Sequence, residues 1–201
     1  MTATAAALTP SDEELVRRTR AGRLSAFDEL VERYQRRATS VSYRLLGNLH
    51  DALEVCQEAF VRAYRGLDGL DDAGRFGPWL LRIVTNLSLN YRRDRAVGGP
   101  KLSFEDCILE GEGSREERVA LGEHSSEMPG AELAADELAE RLEAALARLP
   151  EQQRAALVLF SIEQMPQKDV AEILGLSIEA VKWHVFQARK KLKQLLADHL
   201  Q

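Results

Sequence analysis

The sequence has few cysteines and few aromatic residues, and each shortage excludes a class of protein. Its two cysteines, Cys56 and Cys107, lie far apart and outside any CxxC or CxxH spacing. This pattern indicates neither a disulfide framework nor a zinc site. The four histidines are scattered without an HExxH pairing, so we expect no metal site and no cofactor.

Long hydrophobic runs are also missing. No apolar segment approaches the roughly 18 residues that a membrane-spanning helix requires. The opening segment, MTATAAALTPSDEEL, lacks the basic stretch followed by an apolar one that marks a signal peptide. We therefore expect no membrane insertion and a cytoplasmic location. With 45% hydrophobic and 29% charged residues, the 201-residue chain has an ordinary composition for one or two folded domains.

Residue patterns that support enzyme chemistry do not occur in the sequence. There is no nucleophile paired with a base, no metal-ligand cluster and no glycine-rich phosphate loop. We therefore expect no catalytic residues and a protein that is not an enzyme.

The charge of the chain is unevenly distributed. Residues 101–143 carry 4 basic and 13 acidic residues, whereas residues 1–100 and 144–201 each have a net charge of +2. Between Lys182 and Lys193 there are five basic residues and no acidic one. A phosphate backbone would meet this local basic stripe, so the overall charge of −5 is compatible with nucleic-acid binding.

Helical signals fill the first part of the chain, without the alternation of a strand. Ser11 and Glu14 form a capping-box pattern, and Ser25 is placed to cap a long amphipathic run. A third helix is predicted from about 51 to 67, and Pro78 stands where the first turn of a fourth helix tolerates proline. Four helices within about 95 residues predict a small bundle.

The middle of the chain breaks this pattern. Residues 96–130 are polar, acidic and interrupted by glycine, which predicts a flexible acidic linker. An alternative is that this acidic strand mimics nucleic acid in a basic channel of a partner. Helical periodicity returns in AELAADELAERLEAALARLP. The prediction is therefore an all-α chain with two small helical domains, 1–95 and 131–201, on either side of the linker.

A helix-turn-helix is predicted between Gln167 and Phe186. Ala171 allows two helices to approach, Gly175 permits a left-handed turn, and Ser177 caps the second helix. In this motif the second helix lies in the major groove of DNA. Its candidate DNA contacts are Ser177, Glu179, Lys182, Trp183, Phe186, Gln187, Arg189 and Lys190.

Trp183 and Phe186 lie opposite the core-facing stripe of this helix, and two interpretations remain open. If the helix binds DNA, the two rings meet thymine methyl groups or sugar edges while Lys182 and Lys190 hold phosphates. The alternative is that both rings pack against a partner protein or another domain.

Two segments before the linker and two after it match the pattern of one protein family. DALEVCQEAFVRAYRGL and FGPWLLRIVTNLSLNYRRDRA precede the linker, and LPEQQRAALVL and VAEILGLSIEAVKWHVFQARKKL follow it. In this order and spacing they resemble the extracytoplasmic-function (ECF) group of bacterial sigma factors, over roughly residues 12–96 and 133–196. The resemblance implies a protein that binds core RNA polymerase, directs it to specific promoters and assists promoter opening.

The resemblance also implies roles for individual residues of the first domain. A D-A-x-D-x-x-Q-E motif of the family docks on the clamp helices of the polymerase β′ subunit. Here its places are taken by Asp51, Glu54, Gln57 and Glu58, with glutamate at position 54 where aspartate is commoner. These acidic residues share one face of a helix.

The following helix resembles the segment that recognises the −10 promoter element. The loop before it, residues 66–76, would by resemblance hold a flipped base of the non-template strand. The candidate DNA contacts are Asn86, Asn90, Tyr91, Arg92 and Arg93, with Arg95 as a further phosphate contact. The second domain would bind the −35 element. Many members of the family are also held by an anti-sigma factor, so the expected partners are core polymerase, promoter DNA and an anti-sigma factor.

The sequence departs from the family pattern in two places. Gly77 and Pro78 replace the commoner Arg-Thr before Trp79, and small or basic residues are usual where Trp183, His184, Phe186 and Gln187 stand. Because of the second departure, the base specificity of the family at the −35 element does not transfer directly to this chain. The rival hypotheses are an autonomous helix-turn-helix regulator, which would carry an α/β receiver domain, and a sigma-like inhibitor or adaptor of polymerase.

Overall fold

The computed structural model of the chain describes residues 9–97 and 140–197. Within these ranges the chain is helical and contains no strand, which confirms the all-α prediction. Most of the predicted linker, from residue 98, and the predicted start of the second domain at 131 lie outside the described residues. The first domain consists of α1 (Asp12–Arg20), α2 (Leu24–Leu46), α3 (Leu49–Gly66) and α4 (Phe76–Val97).

The second domain is formed by shorter helices. They are α5 (residues 140–147), α6 (Glu151–Leu157), α7 (Gln167–Leu174) and α8 (Ile178–Ala197). A π-helical turn, Val158–Ile162, extends α6. Two short 3-10 turns, Leu67–Gly69 and Ala73–Arg75, lie in the connection between α3 and α4.

The starts of the first helices follow from their capping residues. Ser11 Oγ accepts a hydrogen bond from the Glu14 amide over 3.2 Å, as the capping-box pattern predicts. Asn48 caps α3 by accepting from the Asp51 amide over 2.9 Å. The predicted cap at Ser25 is wrong. Because α2 begins at residue 24, its serine already lies in the first turn, and the N-cap residue Arg23 makes no side-chain capping bond.

The core of the first domain lies where α2, α3 and α4 pack together. Leu30, Val41, Leu80 and Val84 are fully buried there. Burying each such side chain stabilises the fold by roughly 1.5–3 kcal/mol before conformational entropy is counted. Phe76, also fully buried, fixes the first turn of α4 in this core.

The structure gives a reason for Gly77, one of the two departures from the family pattern at the start of α4. A Cβ atom at Gly77 would lie 2.8 Å from the hydroxyl of Tyr34 and 2.9 Å from a carbon of its ring. That hydroxyl donates to Asp12, and the ring of Tyr34 meets that of Phe76 edge-on, with centroids 5.4 Å apart. Glycine therefore allows α2 and α4 to approach around a buried aromatic cluster.

The predicted helix-turn-helix is confirmed in the second domain. Gly175 adopts a left-handed conformation with φ of 64° and ends α7. Ser177 Oγ accepts from the Ala180 amide over 3.1 Å and caps α8. Val170 and Val181 are fully buried between the two helices, so the motif has its own packed core.

The two domains are in contact in this structure. Arg154, only 2% exposed, extends from α6 and donates to the Leu45 carbonyl oxygen at the end of α2 over 2.9 Å. Its guanidinium also donates to the carbonyl oxygens of Ala147 and Leu149. Burial lowers the pKa of Arg154 to about 10. One buried cation thus satisfies carbonyl groups in both domains.

Candidate polymerase and promoter interfaces

The connection between α3 and α4, residues 66–76 and here named the pocket loop, is held in shape by backbone contacts. Arg20 of α1 donates to the carbonyl oxygens of Leu67 over 2.7 Å and Leu70 over 2.5 Å. Asp72 accepts from the Gly74 amide over 2.9 Å. Leu67 and Leu70 are both buried, so the loop has a fixed backbone although its polar side chains face outward.

A cleft of about 290 Å³ lies beside the pocket loop. Trp79 of α4 forms one wall, and its ring lies 6.0 Å from that of Phe76. The other lining residues come from the loop, from the exposed side of α4 and from α7 of the second domain: Gly69, Leu70, Asp71, Asp72, Arg75, Pro78, Arg82, Asp169, Glu172 and Ile173. The loop that the resemblance assigns to a flipped base therefore borders a cavity lined by an aromatic ring, two arginines and four acidic side chains.

The four residues predicted to dock on polymerase lie on α3, but they differ in their surroundings. Glu54, Gln57 and Glu58 are exposed. Glu58 accepts a hydrogen bond from Arg62 over 2.6 Å. Asp51 is largely covered, with 13% of its side chain exposed. The exposed part of the predicted docking motif therefore consists of Glu54, Gln57 and Glu58.

Asp51 is engaged by residues of α4. Its Oδ1 accepts from the hydroxyl of Tyr91 over 2.8 Å, and its Oδ2 accepts from Arg95. Burial, followed by the hydrogen bond to Asp51, raises the pKa of Tyr91 to about 12. The Arg95 guanidinium also lies over the Tyr91 ring, 5.7 Å from its centroid. These contacts join the predicted docking helix to the predicted −10 helix.

The predicted −10 residues of α4 fall into two groups. Asn86 and Asn90 are exposed on one face, and Asn90 accepts from Arg93 over 2.9 Å. Arg92 points the other way and donates to the Leu45 carbonyl oxygen over 3.3 Å. The asparagines and Arg93 are thus exposed for contact with DNA, whereas Arg92 is hydrogen-bonded to the C-terminal end of α2.

A second cleft, of about 370 Å³, lies between α3 and α4. Glu54 and Glu58 line one side, and Asn90, Tyr91 and Arg93 line the other. The predicted docking face and the predicted −10 face therefore share an edge. A protein bound on α3 would lie directly beside a DNA strand bound on α4.

The outward face of α8 carries the predicted −35 contacts. Trp183 and Phe186 are 54% and 63% exposed, and Lys182 and Lys190 are exposed beside them. Such large apolar side chains on a basic helix form a surface suited to a partner.

The other −35 candidates have different environments. Arg189 donates to Ser161 Oγ over 3.0 Å and lies 5.9 Å from the centroid of the Phe160 ring, so it contacts the π-helical turn. Ser177 acts as a helix cap, Glu179 is exposed, and Gln187 is half-buried. The outward face of α8 therefore contains Lys182, Trp183, Phe186 and Lys190, whereas Arg189 contacts the π-helical turn.

One arrangement was not indicated by sequence spacing. Ligand atoms of His50, Asp51 and Glu54 lie within 4.8 Å of one another. Asp51 is already occupied by Tyr91 and Arg95, and exposed acidic groups often cluster without an ion. We therefore interpret this group as part of the α3 surface.

The sequence did not indicate the two arginines that line the first cleft. Arg75 and Arg82 lie on either side of Trp79 and are about half exposed. No helical spacing relates them, because Arg75 lies in the 3-10 turn Ala73–Arg75 and Arg82 belongs to α4. In the sequence, isolated arginines of this kind do not differ from an ordinary solvated surface.

Comparisons with known proteins agree with this arrangement of helices. The family described as Sigma-70 region 2 matches residues 30–97, and Sigma-70, region 4 matches residues 139–192. The ECF RNA polymerase sigma factor SigW of Bacillus subtilis is 30% identical over 183 residues, covering 91% of this chain and 95% of its own. The ECF RNA polymerase sigma-E factor of Escherichia coli K12 is 32% identical, covering 90% of this chain and 92% of its own.

Solved structures show the same fold. CnrH, solved in complex with the cytosolic domain of CnrY, is similar with a TM-score of 0.61 and 29% identity, over 94% of this chain and 99% of its own. The sigma factor RpoE of Bartonella quintana, solved with the anti-sigma factor NepR, has a TM-score of 0.61 at 21% identity, over 85% of this chain and 96% of its own. Among the described helices of this chain, none is long and apolar enough to cross a membrane.

Proposed function

This chain belongs to the ECF sigma factors of bacterial RNA polymerase. We propose on that premise which of its residues bind polymerase and which bind promoter DNA. The family binds core polymerase, directs it to specific promoters and assists promoter opening. An autonomous helix-turn-helix regulator is not favoured, because the first domain matches region 2 of the sigma-70 family. The domains we propose are residues 1–95, 96–130 and 131–201, as region 2, linker and region 4.

The proposed docking site for the polymerase β′ clamp helices is the exposed face of α3. Glu54, Gln57 and Glu58 present two carboxylates and an amide to solvent, and they can bind basic residues of a partner. Asp51 belongs to the same motif, but its bonds to Tyr91 and Arg95 give it a positioning role. It fixes α4 against the docking helix.

The proposed −10 interface is formed by α4 and the pocket loop. Exposed Asn86 and Asn90 can donate to and accept from base edges at once. Arg93 supplies a phosphate contact, and the ring of Tyr91 offers a stacking surface. Because base extraction stabilises an opened duplex, this interface also accounts for promoter melting.

For the −35 element we propose the outward face of α8 within the major groove. Lys182 and Lys190 hold phosphates, while Trp183 and Phe186 meet thymine methyl groups or sugar edges. Ser177 positions the helix through its cap. Glu179, Gln187 and Arg189 complete the proposed set as flanking contacts.

The chain acts without catalysing a reaction of its own in this proposal, since bond formation belongs to the polymerase. It acts in the cytoplasm, where bacterial polymerase and promoters are found. We also propose a protein partner of the anti-sigma type. CnrH, 29% identical to this chain, was solved in complex with the cytosolic domain of CnrY, which supports a protein partner for this chain.

The observation that carries the proposal is the edge shared by the α3 and α4 faces, where Glu54 and Glu58 line one cleft with Asn90 and Tyr91. It is tested by co-purification with core polymerase. The variant E54A/Q57A/E58A is expected to lose binding and keep its helical circular dichroism. E29A/E32A removes two carboxylates from α2 and serves as the control. Binding retained by the α3 variant would place the docking site elsewhere.

A further inference from the structure

The pocket loop is tied to α1 by one side chain. Arg20 is the last residue of α1, and its guanidinium donates to two carbonyl oxygens of the loop. Nε and Nη2 donate to the Leu67 oxygen over 3.3 and 2.7 Å, and Nη2 also donates to the Leu70 oxygen over 2.5 Å. Leu67 begins the 3-10 turn Leu67–Gly69 and Leu70 follows it, so Arg20 spans the turn.

Hydrogen bonds inside the loop join residues that are close in sequence. The Leu70 amide donates to the Leu67 oxygen over 3.1 Å, and the Arg75 amide donates to the Asp72 oxygen over 2.9 Å. Bonds of this range shape the turns without fixing where the turns lie in the domain. Leu67 and Leu70 are buried and anchor the loop in the core. Arg20 is 47 and 50 positions away from these two partners, so it anchors the backbone of the loop to a different helix.

The end of α1 is a rigid support for this side chain. Leu15 and Val16 are fully buried, and α1 packs against both 3-10 turns of the pocket loop. Gly22, just after the helix, adopts a left-handed conformation with φ of 85°, which is typical of a helix end. Arg20 therefore extends from a helix that is itself fixed in the core.

The tether acts on the part of the loop that lines the first cleft. Gly69, Leu70 and Asp71 line this cleft, whereas Arg20 does not. The bond from Arg20 to the Leu70 carbonyl oxygen is thus made to the backbone of the cleft wall. Loss of this bond would free the wall without removing any side chain that lines the cleft.

The geometry of the tether requires arginine. A guanidinium is a planar fork whose donors point in fixed directions, and here it bonds two carbonyl oxygens at once. The ammonium group of lysine is a compact point charge on a flexible stem. Lysine at this position would keep the charge but would not hold both carbonyl groups in one plane.

We propose that Arg20 is a positioning residue for base recognition at the −10 element. By holding the Leu67 and Leu70 carbonyl groups, it fixes the pocket loop in the shape that accepts an extracted base, and it contacts no base itself. A binding site needs such support, because recognition depends on groups that are already in place. Arg20 lies before residues 30–97, which match Sigma-70 region 2. The inference rests on the proposed −10 function of the pocket loop.

The test uses the full-length chain and three variants. R20A removes the guanidinium, and R20K keeps the charge without the fork. R17A is the matched control, because Arg17 lies on the same helix, is 75% exposed and pairs with Glu14 of that helix. Hydrogen exchange followed by mass spectrometry measures opening of the loop. Run-off transcription with core RNA polymerase and a library of upstream DNA measures the base preference at each promoter position.

Hydrogen exchange is expected to change in the loop alone. In R20A the amides of residues 66–76 should exchange faster by about tenfold or more, because bonds from a charged donor no longer oppose local opening. The amides of α2 and α4 should exchange as in wild type, which a general loss of stability would not allow. R17A should match wild type, and R20K should lie between wild type and R20A.

Transcription is expected to lose discrimination at the −10 element. R20A should lose between about fivefold and a hundredfold of the preference for one base, since a well-placed contact to a base contributes discrimination of this order. The preference at the −35 element should equal that of wild type in the same reaction, because the second domain is proposed to bind it. R20K should keep part of the −10 preference, and R17A should keep all of it.

Three results would overturn the inference. Loop exchange in R20A equal to that of wild type would show that Arg20 does not hold the loop. Faster loop exchange with an unchanged −10 preference would show that the tether serves stability alone. If R20A loosens the helices as well, R20K decides the matter: wild-type protection of the helices together with a wild-type −10 preference would exclude the role of the fork.

Failure of the proposed function would give a different result. Wild-type transcripts that share a −35 element but show no base preference at −10 would reject the interface of α4 and the pocket loop. A −10 preference that is present in wild type and retained in R20A would reject only the role of Arg20.

Discussion

Tyr91 of α4 donates its hydroxyl to Asp51 of α3 over 2.8 Å. The motif residue expected to face polymerase is therefore turned toward the helix expected to bind DNA. Arg95 adds an ion pair to the same carboxylate. These bonds join α3 to α4 at the edge that the two proposed interfaces share, because Asp51 belongs to one helix and both of its partners to the other.

The Tyr91 contact predicts a specific loss of stability at high pH. The pKa of Tyr91 is raised to about 12 by burial and by its bond to Asp51, whereas an unfolded tyrosine ionises near pH 10. A raised folded-state pKa means that the contribution is complete below about pH 10 and disappears as the pH rises through about 12. In urea denaturation, the free energy of unfolding of wild type should fall more steeply over this window than that of Y91F.

Tyr34 remains in both proteins, and its pKa is also raised to about 12. The difference between wild type and Y91F therefore isolates the contribution of Tyr91. Parallel pH profiles for the two proteins would contradict the assigned hydrogen bond.

Gly77 should be intolerant of even one added methyl group. G77A places a Cβ atom 2.8 Å from the Tyr34 hydroxyl, and overpacking of this kind is expected to lower the free energy of unfolding by about 1–3 kcal/mol. Urea denaturation measures the loss. In a Y34A background the substitution should cost much less, since the clashing ring is gone.

Gly69 provides the control for this substitution, because a Cβ there meets nothing within 4 Å. G69A should change stability only slightly. If G77A lowers the free energy of unfolding equally in the wild-type and Y34A backgrounds, the close approach of α2 and α4 is not the reason for glycine at this position.

Several features of this fold follow from the local sequence. Ser11 caps the helix that begins at the next residue, and Gly175 forms the left-handed turn of the helix-turn-helix. Each depends on bonds between residues a few positions apart. The failed prediction at Ser25 shows the limit, because a helix start can shift by one residue when packing determines where α2 begins.

The contacts between the domains could not be predicted in this way. Arg37 and Glu163 are 126 positions apart, and Arg75 and Asp169 also lie far apart in sequence. Each residue alone is typical of a solvated helix surface. Their pairing depends on how two separately folded domains are placed, which no periodicity or capping pattern records.

Arg154 should contribute more to stability than any exposed arginine nearby. It donates to carbonyl oxygens of Leu45, Ala147 and Leu149 from a buried position. Because bonds to charged groups contribute about 1.5–3 kcal/mol, R154A is expected to lose roughly that much in urea denaturation. R154K should recover part of the loss, since lysine keeps the charge without the planar fork. R148A, at an exposed position, is the control; equal stability of R154A and R148A would contradict this role.

The basic residues of α8 should determine how promoter binding depends on salt. K182A/K190A is expected to lower affinity and to reduce the slope of log K against log salt by about 0.9 for each phosphate that is no longer neutralised. Anisotropy titrations with duplex promoter DNA measure both quantities. K191A, at a half-buried position outside the outward face, is the control. An unchanged slope for the double variant would show that this face does not bind DNA.

Trp183 and Phe186 can be compared with the lysines of α8 in the same DNA-binding titration. W183A and F186A should weaken promoter binding while leaving the salt slope unchanged, because they remove apolar side chains and no cation. Unchanged affinity in both variants would favour the alternative role of these rings in packing against a protein.

The most direct test of the central claim is run-off transcription with the purified chain, core RNA polymerase and a library of upstream DNA. We expect promoter-dependent transcripts that share two sequence elements. E54A/Q57A/E58A should abolish them because it is expected to lose polymerase binding, and K182A/K190A should reduce them because its affinity for the upstream element is expected to be lower. Core polymerase that binds the chain but gives no promoter-dependent transcript from any member of the library would contradict the account.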